Sequence, residues 1–251
     1  MPESTRAASE VLGFALIFAV IVLSVALVTV AGYQGLDASR DAERVNNAER
    51  GVDILADNID DVVRAGAPSR TTELRVSDAD ISVGEPVSIR VSGRPVGSAT
   101  DTFDHQFDVR PLVYEADTDA SVVYVTGAVL RTDRSGAILL RDPGFVVAAN
   151  ETVLTVVEPR SVDTSGVGGS GPVHVRVTGD DPVVLVAEST PHEVTVEITS
   201  PDAYVWKRYF EAQASETPSM TCSRPASDTV TCHWVTDRVA VTSAGVEVRF
   251  D

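Results

Sequence analysis

The feature that constrains this chain most is a stretch near its N-terminus that carries no charge. Between Glu10 and Asp37 there is no Asp, Glu, Lys or Arg, and Val11 to Tyr33 reads VLGFALIFAVIVLSVALVTVAGY. At ~1.5 Å per residue these ~23 residues span roughly 34 Å as a helix, enough for a ~30 Å hydrocarbon core. A helix that is apolar on every face needs lipid or a large protein interior around it. A chain of 251 residues has little such interior to offer. The segment is therefore read as a transmembrane helix over 8–35, with Tyr33 at the interface and Gly32 and Gly35 marking a bend at the membrane exit.

Three fates of such a segment differ in their consequences. A secretory signal peptide would be cut after Thr29-Val30-Ala31, but the apolar run exceeds the ~7–15 residues of a usual signal core. A permanent anchor would keep an intact N-terminus. The third fate is processing on the cytoplasmic side, ahead of the apolar run. The short N-terminus, with Arg6 and the terminal amine against Glu3, favours an inside start and an external C-terminal part.

Charge narrows the partners. The chain has 37 Asp+Glu against 20 Lys+Arg, a formal net charge of −17, and its only lysine is Lys207. A chain this acidic has no electrostatic reason to seek nucleic acid or an anionic membrane surface. Two cysteines are too few for a disulfide scaffold or a cysteine-ligated zinc module.

Past the glycines, the pattern becomes amphipathic over 36–66. Val45, Ala48, Val52, Leu55, Ile59 and Val62 are spaced 3, 4, 3, 4, 3, an unbroken apolar seam. Arg44, Glu49, Arg50, Asp53, Asp57, Asp60, Asp61 and Arg64 place charge on the opposite face, and Gly66-Ala67-Pro68 stops the helix. The seam has two readings: packing on the protein's own β domain, which is favoured, or self-association as a coiled coil.

From Thr71 to Asp251 the hydrophobic period changes to two. Strands are expected at Glu73–Val76, Pro86–Val91, Phe107–Tyr114, Val122–Arg131, Ala137–Leu140, Thr152–Val157, Val173–Val177, Val183–Ala187, Val194–Ile198, Thr229–Trp234 and Val246–Phe250. Short strands between Gly, Pro, Asp and Ser turns point to an antiparallel sandwich over 71–251. One late helix opens at Ser200-Pro201-Asp202, with Trp206, Tyr209, Phe210 and Gln213 at helical spacing and an aromatic face docked on the sandwich. The fold class is thus α+β: a long N-terminal helix, transmembrane then amphipathic, followed by a mainly antiparallel β-sandwich with one short late helix.

Motifs with chemical meaning are few. Gly166-Val167-Gly168-Gly169-Ser170-Gly171 matches the dinucleotide fingerprint on paper. Pro172 and an alternating run follow where that motif needs a helix, so the segment is read as a flexible loop. His105, His174, His192 and His233 form no ligand pair in sequence. Asp78-Ala79-Asp80 and Asp180-Asp181 lack the spacing of a calcium loop. No Gly-x-Ser-x-Gly accompanies the many serines, so no catalytic residue, metal or cofactor is assigned. Cys222 and Cys232 are a candidate disulfide outside the cell, and Asn150-Glu151-Thr152 is a candidate glycosylation acceptor.

The segment Arg6-Ala7-Ala8-Ser9-Glu10-Val11-Leu12-Gly13 resembles the start of archaeal type IV pilin-like precursors. The stretch Asp37-Ala38-Ser39-Arg40-Asp41-Ala42-Glu43-Arg44-Val45-Asn46-Asn47-Ala48-Glu49-Arg50 is similar to a pilin-like family of halophilic archaea, and the likeness is clear over about 5–70. The resemblance implies a leader over 1–7, a class III signal peptide, and prepilin peptidase cleavage between Ala7 and Ala8 with the helix retained. It implies a non-enzymatic surface protein that meets membrane lipid, the peptidase, and copies of itself or other pilins in a filament. Gly13, Ala15, Ala19 and Ala26 would let helix backbones approach during assembly. Such pilins carry a glutamate at the fifth mature position. Here Glu10 would be third, which fits processing and topology better than assembly and leaves a single-pass anchored binding module as the alternative.

Overall fold

The computed structural model describes residues 3–116 and 120–251. The chain forms two compact units, Met1–Arg44 and Val45–Asp251. Helix α1 runs Glu3–Arg64 as one element, and its helical hydrogen bonding continues through Gly32 and Gly35. A helical glycine weakens the local structure by roughly 1 kcal/mol but keeps its N–H in the hydrogen-bond ladder. Only proline removes that donor, and none lies between Pro2 and Pro68. At its C-terminus the N–H groups of Ala65 and Ala67 both donate to the Asp61 carbonyl, and Gly66 turns the chain out of the helix at φ 70°.

The boundary between the units falls within α1, so residues 45–64 belong with the strands rather than to a separate stalk. The strands are β1 (Arg70–Val83), β2 (Val87–Pro95), β3 (Phe103–Val109), β4 (Leu112–Ala116), β5 (Ser121–Val125), β6 (Ala128–Asp133), β7 (Gly136–Arg141), β8 (Val146–Val147) and β9 (Thr152–Ser161). Then come β10 (Gly166–Gly179), β11 (Val183–Glu188), β12 (His192–Thr199), helix α2 (Ala203–Ala212), β13 (Thr221–Ala226), β14 (Thr229–Thr236) and β15 (Val239–Phe250). The larger sheet has the order β7-β6-β5-β4-β1-β10-β15-β9-β8, with β11 also on β15, and the smaller is β13-β14-β12-β2-β3. Among the described residues every pairing is antiparallel except that of β15 with β9. The fold is the α+β helix-plus-sandwich that the hydrophobic periods imply.

Part of the larger sheet is buried on both faces, while β1 and β10 are buried only on the side of the helix. On β5, Val122 and Tyr124 join the core under the C-terminal part of α1. Val123 and Val125 point into the core shared with the smaller sheet and α2. Strand β15 splits the same way along its length: Val239 and Val241 face the smaller sheet, while Ala244, Val246 and Val248 face the helix. The unit is therefore three layers, helix on sheet on sheet.

Two expected strands and one expected loop resolve differently. Phe107–Tyr114 is two strands, because Arg110-Pro111 breaks the run and carries the chain from the smaller sheet to the larger. Val122–Arg131 is a hairpin whose two turn residues, Thr126 (φ 43°) and Gly127 (φ 90°), both have positive φ, as a two-residue hairpin requires. The apolar strand residues on either side hide the turn in the sequence. The glycine-rich 166–171 is strand, not loop: it pairs with Val76–Ser82 of β1.

Close approach and curvature explain those glycines. A Cβ on Gly166 would stand 2.5 Å from Cβ of Ser82. Val177 of β10 and Ser161 of β9 flank the same residue, Val248. Eleven straight strand residues from Val177 would put Gly166 some ~36 Å away, yet the five steps from Ser161 reach at most ~18 Å. The β1–β10 ribbon must curl, and its register shifts between Ser77 and Ala79, opposite Ser170 and Gly169. Bulges and glycines are the usual means of such a bend.

Candidate functional site

In the first unit, Gly13–Tyr33 forms 21 residues of helix with a mean hydropathy of 2.9 and no residue buried. Phe14, Leu16, Leu23, Leu27 and Val28 are all more than 60% exposed. The polar groups inside the run are satisfied within the helix: the hydroxyl of Ser24 donates to the Val20 carbonyl and that of Thr29 to the Val25 carbonyl, each at 2.7 Å. A hydrocarbon surround demands this, because no water is available there to pair a hydroxyl. Ala15, Ala19 and Ala26 are exposed and Gly13 is half-buried. Arg6, Ala7, Ala8 and Glu10 lie in the first turns of α1, and their side chains are outside the described ones.

In the second unit the seam faces the sheet. Val45, Ala48, Val52, Leu55, Ile59 and Val62 are all buried, joined by Ala56 and Val63. Most of that face shares one core with Leu74, Val76, Val175, Val177, Val246 and Val248, which leaves no free stripe for a coiled coil. Glycines let the layers approach: a Cβ on Gly51 would lie 2.5 Å from Leu74, and one on Gly179 would lie 2.4 Å from Val62.

The acidic face of this helix segment is tied to the strands. Nη1 of Arg141, at the end of β7, donates to Oδ1 of Asp53 at 3.1 Å and Oδ1 of Asp57 at 2.6 Å. Its Nη2 donates to Oδ2 of Asp60 at 3.0 Å. Partial burial works against the Arg141 cation, but the hydrogen bonds to Asp57 and Asp53 outweigh it and hold the guanidinium above its ordinary pKa. Arg131 meets Glu49 at 3.1 Å, Arg70 meets Asp61 at 3.1 Å, and the Asn58 amide donates to Thr72 Oγ1 at 2.8 Å. Sequence reasoning missed these arginine partners. The 4, 3 spacing of Asp53, Asp57 and Asp60 was the available signal, since it aligns three carboxylates on one helix stripe.

The remaining candidates are placed as follows. Trp206, Tyr209 and Phe210 of α2 are buried against the sandwich, and burial pushes the Tyr209 phenol above its ordinary pKa. The Tyr204 hydroxyl pairs with both the N–H and the carbonyl of Ala137 on edge strand β7. His192 is buried with Nδ1 2.8 Å from the Thr190 carbonyl. Among the described residues no group of three His, Cys, Asp or Glu could hold a metal ion. Cys222 and Cys232 are bonded at 2.06 Å and stand directly opposite one another in the β13–β14 register. Asn150 is exposed in the turn before β9, while Thr152 is buried and its Oγ1 accepts from Trp234 Nε1 at 2.9 Å.

Fold and site together define a class: a β-sandwich protein preceded by one helix long and apolar enough to cross a membrane. The chain belongs to a family described as a family of unknown function, DUF7289, which matches residues 6–249. No curated protein matches it, and no solved structure does.

Proposed function

We propose that this protein is a non-enzymatic, pilin-like component of the cell surface, held in the membrane by α1 with its β-sandwich outside the cell. In this reading prepilin peptidase cuts between Ala7 and Ala8, and the mature helix enters a type IV pilus-like filament with copies of itself or related pilins. The observation that carries the proposal is α1 itself. One helix combines a 21-residue apolar segment with no buried residue and a C-terminal part whose seam is built into the core of the β unit. That is the division of labour a retained anchor needs and a discarded signal peptide does not. The acidic composition and single lysine support a salt-rich setting.

A second reading, an anchored β module that never polymerises, draws on Leu12 occupying the fifth position after the proposed cut, with Glu10 at the third. Mass spectrometry of the N-terminal peptide from membrane and shed fractions tests the first reading. A mature start at Ala8 supports it. A start near Gly32 overturns it in favour of a secreted domain, and an intact Met1 leaves the anchored module. Filaments that contain the chain, seen by immunogold labelling, then separate assembly from processing alone.

A further inference from the structure

The outward face of the smaller sheet carries a concavity of about 530 Å³ that packing of the core does not use. Its floor is Ser92 of β2, Thr195 of β12 and His233 of β14, three residues in direct cross-strand register. Beside them lie Arg94 and Glu193, also directly opposed, and Asp101 and Ser219 stand on loops at the two sides. Inward-facing neighbours Val194, Val196, Cys232 and Trp234 are buried, so the floor is fixed by the core beneath it. The His233 ring is held from the side by the Thr221 hydroxyl, 2.6 Å from Nε2.

From this arrangement we infer that the cleft on the outer face of β2, β12 and β14 is a binding site for a neutral sugar ring. Arg94 already gives Nε and Nη2 to Oε2 of Glu193, at 2.8 and 2.6 Å. An anion would find only Nη1 of Arg94 unused by that pair, would face Glu193 and Asp101 at close range, and would approach a chain of net charge −17. A metal ion lacks ligands, since no group of three candidate side chains converges among the described residues. An apolar ligand finds hydroxyls, an imidazole and charged groups, with Val235 as the one partly exposed aliphatic side chain of the lining. A neutral polyol matches instead. Its adjacent hydroxyls both donate and accept, and the floor offers Glu193 Oε1 as acceptor, Arg94 Nη1 as donor, and Ser92 and Thr195 as either. The volume lies within the range of small-ligand sites.

This inference stands independently of filament assembly. Its test is a titration of the isotopically labelled full chain, in a detergent without a sugar headgroup, with the methyl glycosides of glucose, galactose and mannose, followed by amide and imidazole shifts. We expect saturable shifts centred on Thr195, His233 and Arg94 with a Kd on the order of 1 mM for at least one glycoside. The Thr195→Val and Glu193→Gln variants should each bind roughly tenfold more weakly, with their other resonances unmoved. Absence of saturable shifts at these residues for all three glycosides overturns the inference. So does tighter binding of glucuronate or sulfate than of any neutral glycoside, or wild-type affinity in both variants. A shift pattern confined to another surface would also overturn it.

Discussion

At the residue scale, Arg141 concentrates more of the helix–sheet electrostatics than any sequence pattern announces. One guanidinium, a quarter exposed, bridges three carboxylates. Replacing it by methionine keeps the stem packing but leaves Asp53, Asp57 and Asp60 repelling one another along one stripe. Because Asp53 and Asp57 are more than half exposed, the expected loss is moderate, about 1–2 kcal/mol. That lowers Tm by roughly 3–6 °C in dilute buffer. Most of the loss should vanish at about 1 M salt, where screening acts within ~3 Å; melting curves at both salt levels decide it. Asp202 offers the opposite sign. Desolvation raises its carboxyl above the ordinary value of 3.8, so the folded chain binds this proton more tightly than the unfolded one. Its contribution to stability is fully present below the unfolded value and is lost as pH rises through the folded one. Asp202→Asn should therefore raise Tm at neutral pH and flatten the pH dependence just above 3.8. An unchanged profile across that window would show that the charge carries no cost.

At the element scale, what the sequence made legible follows from where each signal resides. The helix seam, the period-two strands and the aromatic late helix were readable because each is written locally, in spacing. The β5–β6 hairpin, the β3–β4 break and the glycine strand were not. Thr126-Gly127 lies in a run of strand formers, and Gly166–Gly171 owes its strand to β1, which lies far away in sequence. The Arg141 cluster was only half readable: the carboxylates share a stripe, but their partner comes from β7. The seam supports a sharp contrast. Leu55 is fully buried and Ile54, its neighbour, is 54% exposed. Leu55→Ala should cost about 3–4 kcal/mol, whereas Ile54→Ser should stay within about 0.5 kcal/mol. Denaturant unfolding of the two variants tests whether the C-terminal part of α1 is core or appendage. Equal, small losses would show that the helix docks without contributing to stability. The disulfide acts on another element, the β13–β14 edge hairpin, and its reduction should remove about 2–3 kcal/mol.

At the scale of the whole molecule, orientation is the property on which the proposed function depends. A single apolar helix places its two flanks on opposite sides of a membrane, and the local charges, Arg6 against Glu3 before it and Asp37, Arg40, Asp41 and Arg44 after it, bias the direction only weakly. The Cys222–Cys232 bond adds an independent argument, since such bonds persist outside the cytosol and are reduced within it. It also makes the measurement clean, because no free cysteine remains. Ser189 is exposed in the short loop between β11 and β12, so Ser189→Cys introduces one reachable thiol without touching the core or an ion pair. A membrane-impermeant maleimide added to intact cells should label this variant fully, with no further labelling after permeabilisation. Labelling that appears only after permeabilisation would put the β-sandwich in the cytoplasm and remove the cell-surface reading. In that case Cys222 and Cys232 should also be found as thiols, and the acidic sandwich would face the cytoplasm from a membrane anchor.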